Sequence, residues 1–376
     1  MGGTPVTRLL GSFSLAALLL LSSCGMGGGG GGGGSSLPST PFTPPASSNV
    51  SVATTTKAND IAVDPSNNVW VVVTNGVMEI PKDATSCATS TKCPIVTLGF
   101  TPAGIAADGS GNIWVTNNTS GSVTEITTTA ISNKSCSSSS SCPTFGSGYF
   151  SSPVGIAADG SGSTSTIWVT NDSTSSPSVT EITTNAIKAQ SCSSYCTIFT
   201  SSFSSPVGIV ADGSGNIWVT NDTSPGSVTE IKVGASSCSS SADCPTYGGF
   251  SNPVAVAVAS GGVPWVANSS QGSVYPPGVV AMTSSSPCTT SGGCPEITGF
   301  TQPVGLAFDS SLNLWVIDAG TSKAVEITAS AISAESCQND PCYAYSLPAG
   351  PLGIATDKLG NIWITLQNGE IVKYTP

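Results

Sequence analysis

The fold is decided by one stretch of sequence, PAGIAADGSGNIWVTN at residues 102–117, because variants of this stretch recur along the chain. SVTEI follows at residues 122–126 and recurs with it. All seven tryptophans occupy the same position, one in each copy: Trp70, Trp114, Trp168, Trp218, Trp265, Trp315 and Trp363. Their spacing of 44 to 54 residues fits a four-stranded propeller blade and is too long for a leucine-rich repeat.

Each complete copy predicts four short strands. Gly-Ile-Ala-Ala is the first, whose small residues let seven such strands crowd around an axis. A polar turn follows, and Ile-Trp-Val-Thr and Val-Thr-Glu-Ile form the second and third strands, with the tryptophan packed between adjacent blades. The fourth strand is expected after a cysteine pair, as in Cys142-Pro143-Thr144-Phe145. The sequence therefore predicts an all-β, seven-bladed β-propeller.

The last copy ends at Tyr374-Thr375-Pro376, directly after its third strand, and lacks a fourth. Residues 50–56, VSVATTT, have the β-branched composition of a strand. We expect this N-terminal strand to close the last blade, which would remove two exposed sheet edges. An open solenoid is the alternative.

The N-terminus has the composition of an export signal. Arg8 is its only charge, Leu9 to Leu21 is an apolar run, and Leu21-Ser22-Ser23-Cys24 follows. That last motif resembles the lipobox of bacterial lipoproteins, which implies a signal peptide at 1–23 and lipidation of Cys24. An ordinary secretory signal is the alternative, and both export the protein.

A polyglycine and Ser/Pro-rich stretch at 24–48 predicts a disordered, flexible tether ahead of the propeller at 49–376. Gly25 stands where the lipoprotein resemblance associates aspartate with inner-membrane retention, so the outer membrane or cell surface is favoured. The net charge of −11 and pI near 4.2 argue against nucleic acid as a partner. We expect a monomer that contacts the membrane only through its lipid anchor.

Cysteine spacing predicts local disulfides. Of thirteen cysteines, twelve fall in close pairs between the third and fourth strands of the first six copies: Cys87/Cys93, Cys136/Cys142, Cys192/Cys196, Cys238/Cys244, Cys288/Cys294 and Cys337/Cys342. Zinc is the alternative, but it prefers four ligands and the chain contains no histidine. In an exported protein the pairs are best interpreted as disulfides.

The absence of histidine removes the most usual general base and the commonest metal ligand. Ser-His-Asp, Cys-His and HExxH chemistries are therefore excluded, and no catalytic residue is assigned.

Polar residues cluster where the second strands end, on what we call the strand-end face: the loops after the second strands and those entering the first strands. These candidate ligand-binding residues are Asn75, Asn117, Asn118, Asn171, Asp172, Asn221, Asp222, Asn268, Asp318 and Gln367, with Tyr275 in an irregular loop of the fifth copy. Such a ring could bind a sugar through hydrogen bonds. No cofactor is predicted, although oxygen ligands of this kind could hold a divalent cation such as calcium. Asx turns at strand ends are the alternative interpretation.

Two further acidic sets repeat with the blades. The turns between first and second strands, which define the hairpin face, carry Asp64, Asp108, Asp159, Asp212, Asp309 and Asp357. Third strands carry Glu79, Glu125, Glu181, Glu230, Glu326 and Glu370. Asx-turn capping is expected for the aspartates and hydrogen bonding between blades for the glutamates, because six copies do not make one catalytic site.

Residues 58–376 resemble the NHL-type and virginiamycin-lyase-like propeller superfamily, through the pattern P-x-G-I-A followed by D-x-x-G-N-I-W-V-T-N. This resemblance implies the fold, whereas the superfamily contains lyases, lactonases and binding modules. Its antibiotic-cleaving lyases depend on histidine, which has no counterpart here, and the Glu, Asn and Asp metal site of its lactonases cannot be matched residue by residue.

Three functional hypotheses follow. The first is a noncatalytic binding or scaffold module at the bacterial cell envelope, with a glycan, peptide or envelope protein as partner. The second is a metal-dependent, lactonase-like hydrolase or lyase with carboxylate and asparagine ligands at the channel mouth. The third is a structural spacer.

Overall fold

In the computed structural model, the described residues are 35–36, 50–54, 58–87, 92–146, 148–160, 165–259, 262–282, 294–337 and 342–375. The first two of these ranges are described by their backbone alone. The predicted signal peptide, Cys24 and nearly all of the predicted tether lie outside the described residues, as do Thr55, Thr56 and Cys288. No helix within the described ranges has the length and apolar character needed to cross a membrane.

Strands are numbered along the chain and grouped into seven blades. Two precede the repeats, β1 (Ser35–Ser36) and β2 (Val50–Thr54). Blade 1 contains β3 (Ile61–Val63), β4 (Val69–Val73), β5 (Gly76–Ile80) and β6 (Ile95–Thr97). Blade 2 contains β7 (Ile105–Ala107), β8 (Ile113–Asn117), β9 (Ser122–Ile126) and β10 (Thr144–Phe145). Blade 3 contains β11 (Pro153–Asp159), β12 (Thr166–Asn171), β13 (Ser178–Ile182) and β14 (Cys196–Phe199). Blade 4 contains β15 (Pro206–Ala211), β16 (Ile217–Asn221), β17 (Gly226–Ile231) and β18 (Thr246–Phe250).

The remaining blades follow the same plan. Blade 5 contains β19 (Pro253–Val258), β20 (Pro264–Asn268), β21 (Gly278–Ala281) and β22 (Glu296–Thr298). Blade 6 contains β23 (Pro303–Phe308), β24 (Leu314–Asp318), β25 (Lys323–Ile327) and β26 (Cys342–Ser346). Blade 7 contains β27 (Pro351–Thr356), β28 (Ile362–Leu366) and β29 (Glu370–Tyr374). Among the described residues, three short helices lie between third and fourth strands: α1 (Thr128–Asn133), α2 (Thr184–Ala189) and α3 (Ala329–Ala334).

The ring closes as the sequence predicts. In every blade the first, second and third strands pair antiparallel in chain order, and in blades 1 to 6 the fourth follows. In blade 7 the fourth place is taken by β2, which pairs antiparallel with β29 and aligns Ser51 with Val372 and Thr54 with Glu370. The seven-bladed propeller, closed by the N-terminal strand, is therefore confirmed. In addition, β1 pairs parallel with β22 and lengthens the outer edge of blade 5.

The tryptophans pack between blades, as predicted. Trp70 of blade 1 lies in one core cluster with Ile113 and Val115 of blade 2. At the other end of the repeats, Trp363 of blade 7 packs with Val69 and Val71 of blade 1. Each junction thus contains one of the seven tryptophans, which supplies much of the apolar burial that holds the ring together.

Threonines of the second strands tie the inner strands of neighbouring blades. Thr116 accepts a hydrogen bond from the Gly104 N–H at 2.8 Å and donates to the Val154 carbonyl of blade 3 at 2.9 Å. A Cβ at Gly104 would collide with that carbonyl oxygen, so the close approach of inner strands requires glycine here. The P-x-G and W-V-T motifs therefore form one junction between blades.

Local disulfides secure the peripheral loops. Five predicted pairs are present with Cα–Cα distances of 4.8 to 5.4 Å: Cys87–Cys93, Cys136–Cys142, Cys192–Cys196, Cys238–Cys244 and Cys337–Cys342. Disulfides persist in oxidising compartments, and they support export of the protein.

The sixth predicted pair, Cys288 with Cys294, is only half within the described residues. Cys294 lies two residues before the fourth strand of blade 5, is buried at 3% exposure and is disulfide-bonded. Cys288 lies outside the described residues. The oxidised state predicted for Cys294 is therefore confirmed, whereas its pairing with Cys288 stays a prediction.

Candidate functional site

Most of the candidate ligand-binding residues on the strand-end face are buried and hydrogen-bonded within the protein. Asn171 donates to Ser178 Oγ at 3.2 Å and Thr180 Oγ1 at 2.9 Å, and accepts from the Ser151 N–H at 3.3 Å. Asn221 makes the same set of bonds in blade 4, with Ser227, Thr229 and the Ser204 N–H. Each asparagine therefore ties the loop that enters its blade to the end of the second strand.

Blades 2, 5 and 6 use variants of this arrangement. Asn117 accepts from the Ser120 N–H at 3.2 Å. Asn268 donates to three carbonyl oxygens, including that of Tyr275 at 2.9 Å, and accepts from Ser251 N–H at 2.8 Å. Asp318 accepts from the N–H groups of Thr301 and Gln302 at 3.0 and 2.7 Å. These side-chain atoms of Asn117, Asn268 and Asp318 therefore form hydrogen bonds within the protein.

Two aspartates one position further on connect neighbouring blades. Asp172 of blade 3 accepts from Ser205 Oγ at 2.8 Å, and Asp222 of blade 4 accepts from Asn252 Nδ2 at 2.9 Å. Both acceptors lie at the strand-end rim and remain partly exposed.

The remaining four candidate ligand-binding residues differ in their exposure to solvent. Asn75, Asn118 and Gln367 are exposed on the strand-end face. Tyr275 is fully buried, with its ring centroid 5.0 Å from that of Phe250. The structure therefore offers exposed amides from only three blades among these candidates, and a ligand-binding role for the set stays a prediction.

On the hairpin face, five blades share one polar lock. In blade 2, Asp108 Oδ1 accepts from the N–H groups of Ser110 and Asn112, both at 2.9 Å. Its Oδ2 accepts from Asn112 Nδ2 at 2.9 Å and from Trp114 Nε1 at 3.1 Å. The other aspartates that bond in this way are Asp64, Asp212, Asp309 and Asp357. Their predicted Asx-turn role is confirmed, and the sequence signature is D-x-x-x-N-x-W.

Blades 3 and 5 lack the lock. Asp159 is not followed by asparagine four residues later, and Trp168 Nε1 donates instead to Thr166 Oγ1 at 3.1 Å. Burial raises the pKa of Asp159, and the nearby Asp212 charge adds to the shift. In blade 5 Ala259 replaces the aspartate altogether.

Two third-strand glutamates bond within their own blade rather than between blades, contrary to the sequence expectation. Glu230 accepts from Tyr247 OH at 3.1 Å and Glu326 from Tyr345 OH at 2.9 Å. Each tyrosine belongs to the fourth strand of the same blade, because strand pairing brings that strand beside the glutamate. Burial raises the pKa of Glu125 to about 7, with a further contribution from Asp108.

A cavity of about 490 Å³ opens at the hairpin face beside blades 7, 1, 2 and 3. Its inner wall is formed by the residues just before the hairpin aspartates, where Ala107 and Ala158 are too small to fill the space. Lys358 lines the rim and donates from Nζ to the Pro65 carbonyl at 2.7 Å. The wall is thus mainly apolar, with one ammonium group and the carboxylates of Asp64 and Asp108, which already accept hydrogen bonds.

Sequence reasoning missed Asp60, which precedes the first strand of blade 1. Its Oδ1 accepts from the Ile61 N–H at 2.8 Å and its Oδ2 from the Ile105 N–H of blade 2 at 3.1 Å. The residue as a whole remains partly exposed. Burial of its carboxylate raises its pKa to about 6, and the two N–H groups act to lower it. The available signal was a break in the repeat, since Ala58-Asn59-Asp60 replaces Pro-x-Gly.

Metal binding was the alternative raised for the carboxylates. Within the described part of the chain, no three Asp, Glu or Cys side chains come together as a group that could hold a metal ion.

Comparisons with known proteins agree on the fold. No family model matches the sequence, and no curated protein matches it. Among solved structures, a catalytically inactive histidine-to-alanine variant of virginiamycin B lyase from Staphylococcus aureus with quinupristin is 17% identical, with a TM-score of 0.62 over 88% of this chain and 99% of that one. Hydrazine synthase from Kuenenia stuttgartiensis is 15% identical, with a TM-score of 0.68 over 86% and 97%. YCF48 bound to D1 peptide is 10% identical, with a TM-score of 0.61 over 89% and 97%.

These neighbours include virginiamycin B lyase-like seven-bladed propellers, and at such identities the likeness establishes the fold alone.

Proposed function

We propose that the protein is a noncatalytic binding or scaffold module, anchored through Cys24 at the bacterial cell envelope, that recognises a peptide, glycan or envelope protein. The observation that carries the proposal is the open cavity at the hairpin face. The carboxylates that line it, Asp64 and Asp108, accept hydrogen bonds from Trp70 and Trp114. A pocket with apolar walls and few polar groups is suited to binding.

Three further observations support a partner of this kind. Leu359, at the tip of the blade 7 hairpin beside the cavity, is 70% exposed, and Leu312 at the neighbouring tip is 41% exposed. YCF48, which shares the fold, binds the D1 peptide. The lyase neighbour is inactive in its histidine-to-alanine variant, and this chain contains no histidine that could perform such chemistry.

A thermal-shift screen of the purified chain against glycan and peptide panels tests the proposal, with and without added calcium. We expect a hit from these panels to be weakened in Lys358→Ala, which lies at the cavity, and to be retained in Lys232→Ala, an exposed lysine elsewhere. The metal-dependent hydrolase or lyase alternative would be favoured if the chain turned over lactones only when a divalent cation was present. In that case the noncatalytic proposal would be wrong.

A further inference from the structure

At the glycine position of the P-x-G motif, blade 1 differs from the other blades by carrying a charged residue. At the glycine of P-x-G, five blades have Gly104, Gly155, Gly208, Gly305 and Gly353. Blade 5 has Ala255 and blade 1 has Asp60. Inner strands surround the axis of a propeller, so the partial exposure of Asp60 is exposure to the axial channel.

Placing a side chain at this position requires a different junction between blades. A Cβ at Gly104 or Gly155 would collide with a carbonyl oxygen of the next inner strand. Between blades 1 and 2 the side chain is accommodated, and Val72 occupies the position of the bridging threonine. The Asp60 carboxylate spans the gap to the Ile105 N–H instead. Blade 1 thus replaces a neutral junction with a charged one.

The charge of Asp60 has no counter-charge in the described structure. Its hydrogen-bond partners there are two backbone N–H groups, and no cationic side chain contributes to its pKa. Buried charges in proteins are generally paired, because removing an ion from water is costly. A cation from outside the chain could therefore supply the counter-charge that the described residues do not.

The surroundings favour a cation on an apolar body. One residue before the glycine position, each blade has a partly exposed residue, and we call these seven residues the collar. Six of them are apolar, namely Ala103, Val154, Val207, Val254, Val304 and Leu352. Asn59 is the seventh. Val254 and Val304 also pack against the cores between blades. We propose that this collar and Asp60 form a binding site for a primary ammonium or guanidinium group on an aliphatic stem, such as a lysine or arginine side chain of a partner.

This site lies at the opposite end of the inner strands from the cavity on the hairpin face. Asp60 and Val63, which lines the cavity, are three residues apart in an extended strand, about 10 Å. The two sites can therefore be tested separately, and the failure of one does not decide the other.

The test uses the purified full chain and two small probes, n-butylguanidinium and its neutral isostere n-butylurea, with binding followed by saturation-transfer NMR and equilibrium dialysis. We expect saturable binding of the cation and at least about tenfold weaker binding of the urea, as for loss of a charge-assisted hydrogen bond. Asp60→Asn should weaken cation binding by a similar factor, and Asp83→Asn, at an exposed position, should leave it unchanged.

A second variant guards against a folding defect in Asp60→Asn. Ala103→Lys keeps Asp60 and supplies a cation from within the collar, two residues from Ile105. We expect this variant to fold and to lose binding of the probe. Equal binding of the two probes, no binding of the cation to the wild-type chain, or unchanged binding by folded Asp60→Asn or Ala103→Lys would each overturn the proposal.

Discussion

Blades 4 and 5 are neighbours with the same strand order, yet only blade 4 has the aspartate lock. Asp212 accepts from the Trp218 indole at 3.3 Å, whereas Ala259 stands at the equivalent position before Trp265. Both tryptophans are nevertheless 4% exposed. Packing on the next blade therefore buries the indole, while the hydrogen bonds determine the conformation of the hairpin.

The comparison predicts equal losses for the two tryptophans. Trp218→Ala and Trp265→Ala should each lower the free energy of unfolding by about 3 to 5 kcal/mol, because each removes a large buried side chain. Guanidinium unfolding followed by circular dichroism measures both values. A loss for Trp218 larger than that for Trp265 by more than about 2 kcal/mol would show that the lock contributes to the junction.

Asp212→Ala should cost about 2 to 3 kcal/mol, because it leaves several N–H donors of blade 4 without their acceptor. The reverse change in blade 5, Ala259→Asp, should give no comparable gain, since no asparagine follows four residues later. Thermal unfolding of the two variants beside wild type checks this. A gain as large as the blade 4 loss would mean that the aspartate alone makes the lock.

The lock also predicts a dependence on pH. Burial acts to raise the pKa of Asp212, but hydrogen bonds from Asn216, Ser214 and Trp218 together outweigh it and lower that pKa. The contribution of Asp212 is present above the unfolded pKa and is lost as the pH falls through the lower folded pKa. Below about pH 4, the free energy of unfolding should therefore fall less in Asp212→Asn than in wild type. Parallel acid unfolding curves for the two proteins would contradict this.

Blade 4 also carries a disulfide, and its removal tests the loop beyond the third strand. The double change Cys238→Ser and Cys244→Ser should lower the free energy of unfolding by about 2 kcal/mol through loop entropy. Urea titration under nonreducing conditions measures it, and reduction of the wild-type chain is the companion experiment. No change would indicate that the loop is ordered without its crosslink.

The smallest effect is expected at Asp60, where blade 1 departs from every other blade. Burial raises its pKa to about 6, so its stabilising contribution is present below the unfolded value and is lost as the pH rises through about 6. Asp60→Asn lacks this titration, so the stability of the variant relative to wild type should rise as the pH rises from 4 to 8. Thermal unfolding across this range, with Asp83→Asn as control, tests the sign.

Residues alone predicted the repeats well because each motif has a local cause. Tryptophan spacing counted the blades, and Val50 to Thr54 form the closing strand that the incomplete last copy required. The candidate site was harder to predict. In the sequence, an asparagine at a strand end that faces solvent looks the same as one that is hydrogen-bonded to a loop. Asn171 is of the second kind.

The sequence by itself determined the number of blades, the five described cysteine pairs and the Asx turns of the hairpins, because each depends on residues at short or regularly repeated spacing. It also determined the closure of the ring, because the last copy lacks a fourth strand that residues 50–54 can supply. Tertiary structure decided which polar groups remain accessible. Tyr275 is buried against Phe250, and the amides of Asn221 and Asn268 donate hydrogen bonds within the protein. Packing of the blades also forms the cavity beside Ala107 and places the Asp60 carboxylate at the junction with blade 2. Exposure depends on how neighbouring blades pack, and residues distant in the chain determine that packing.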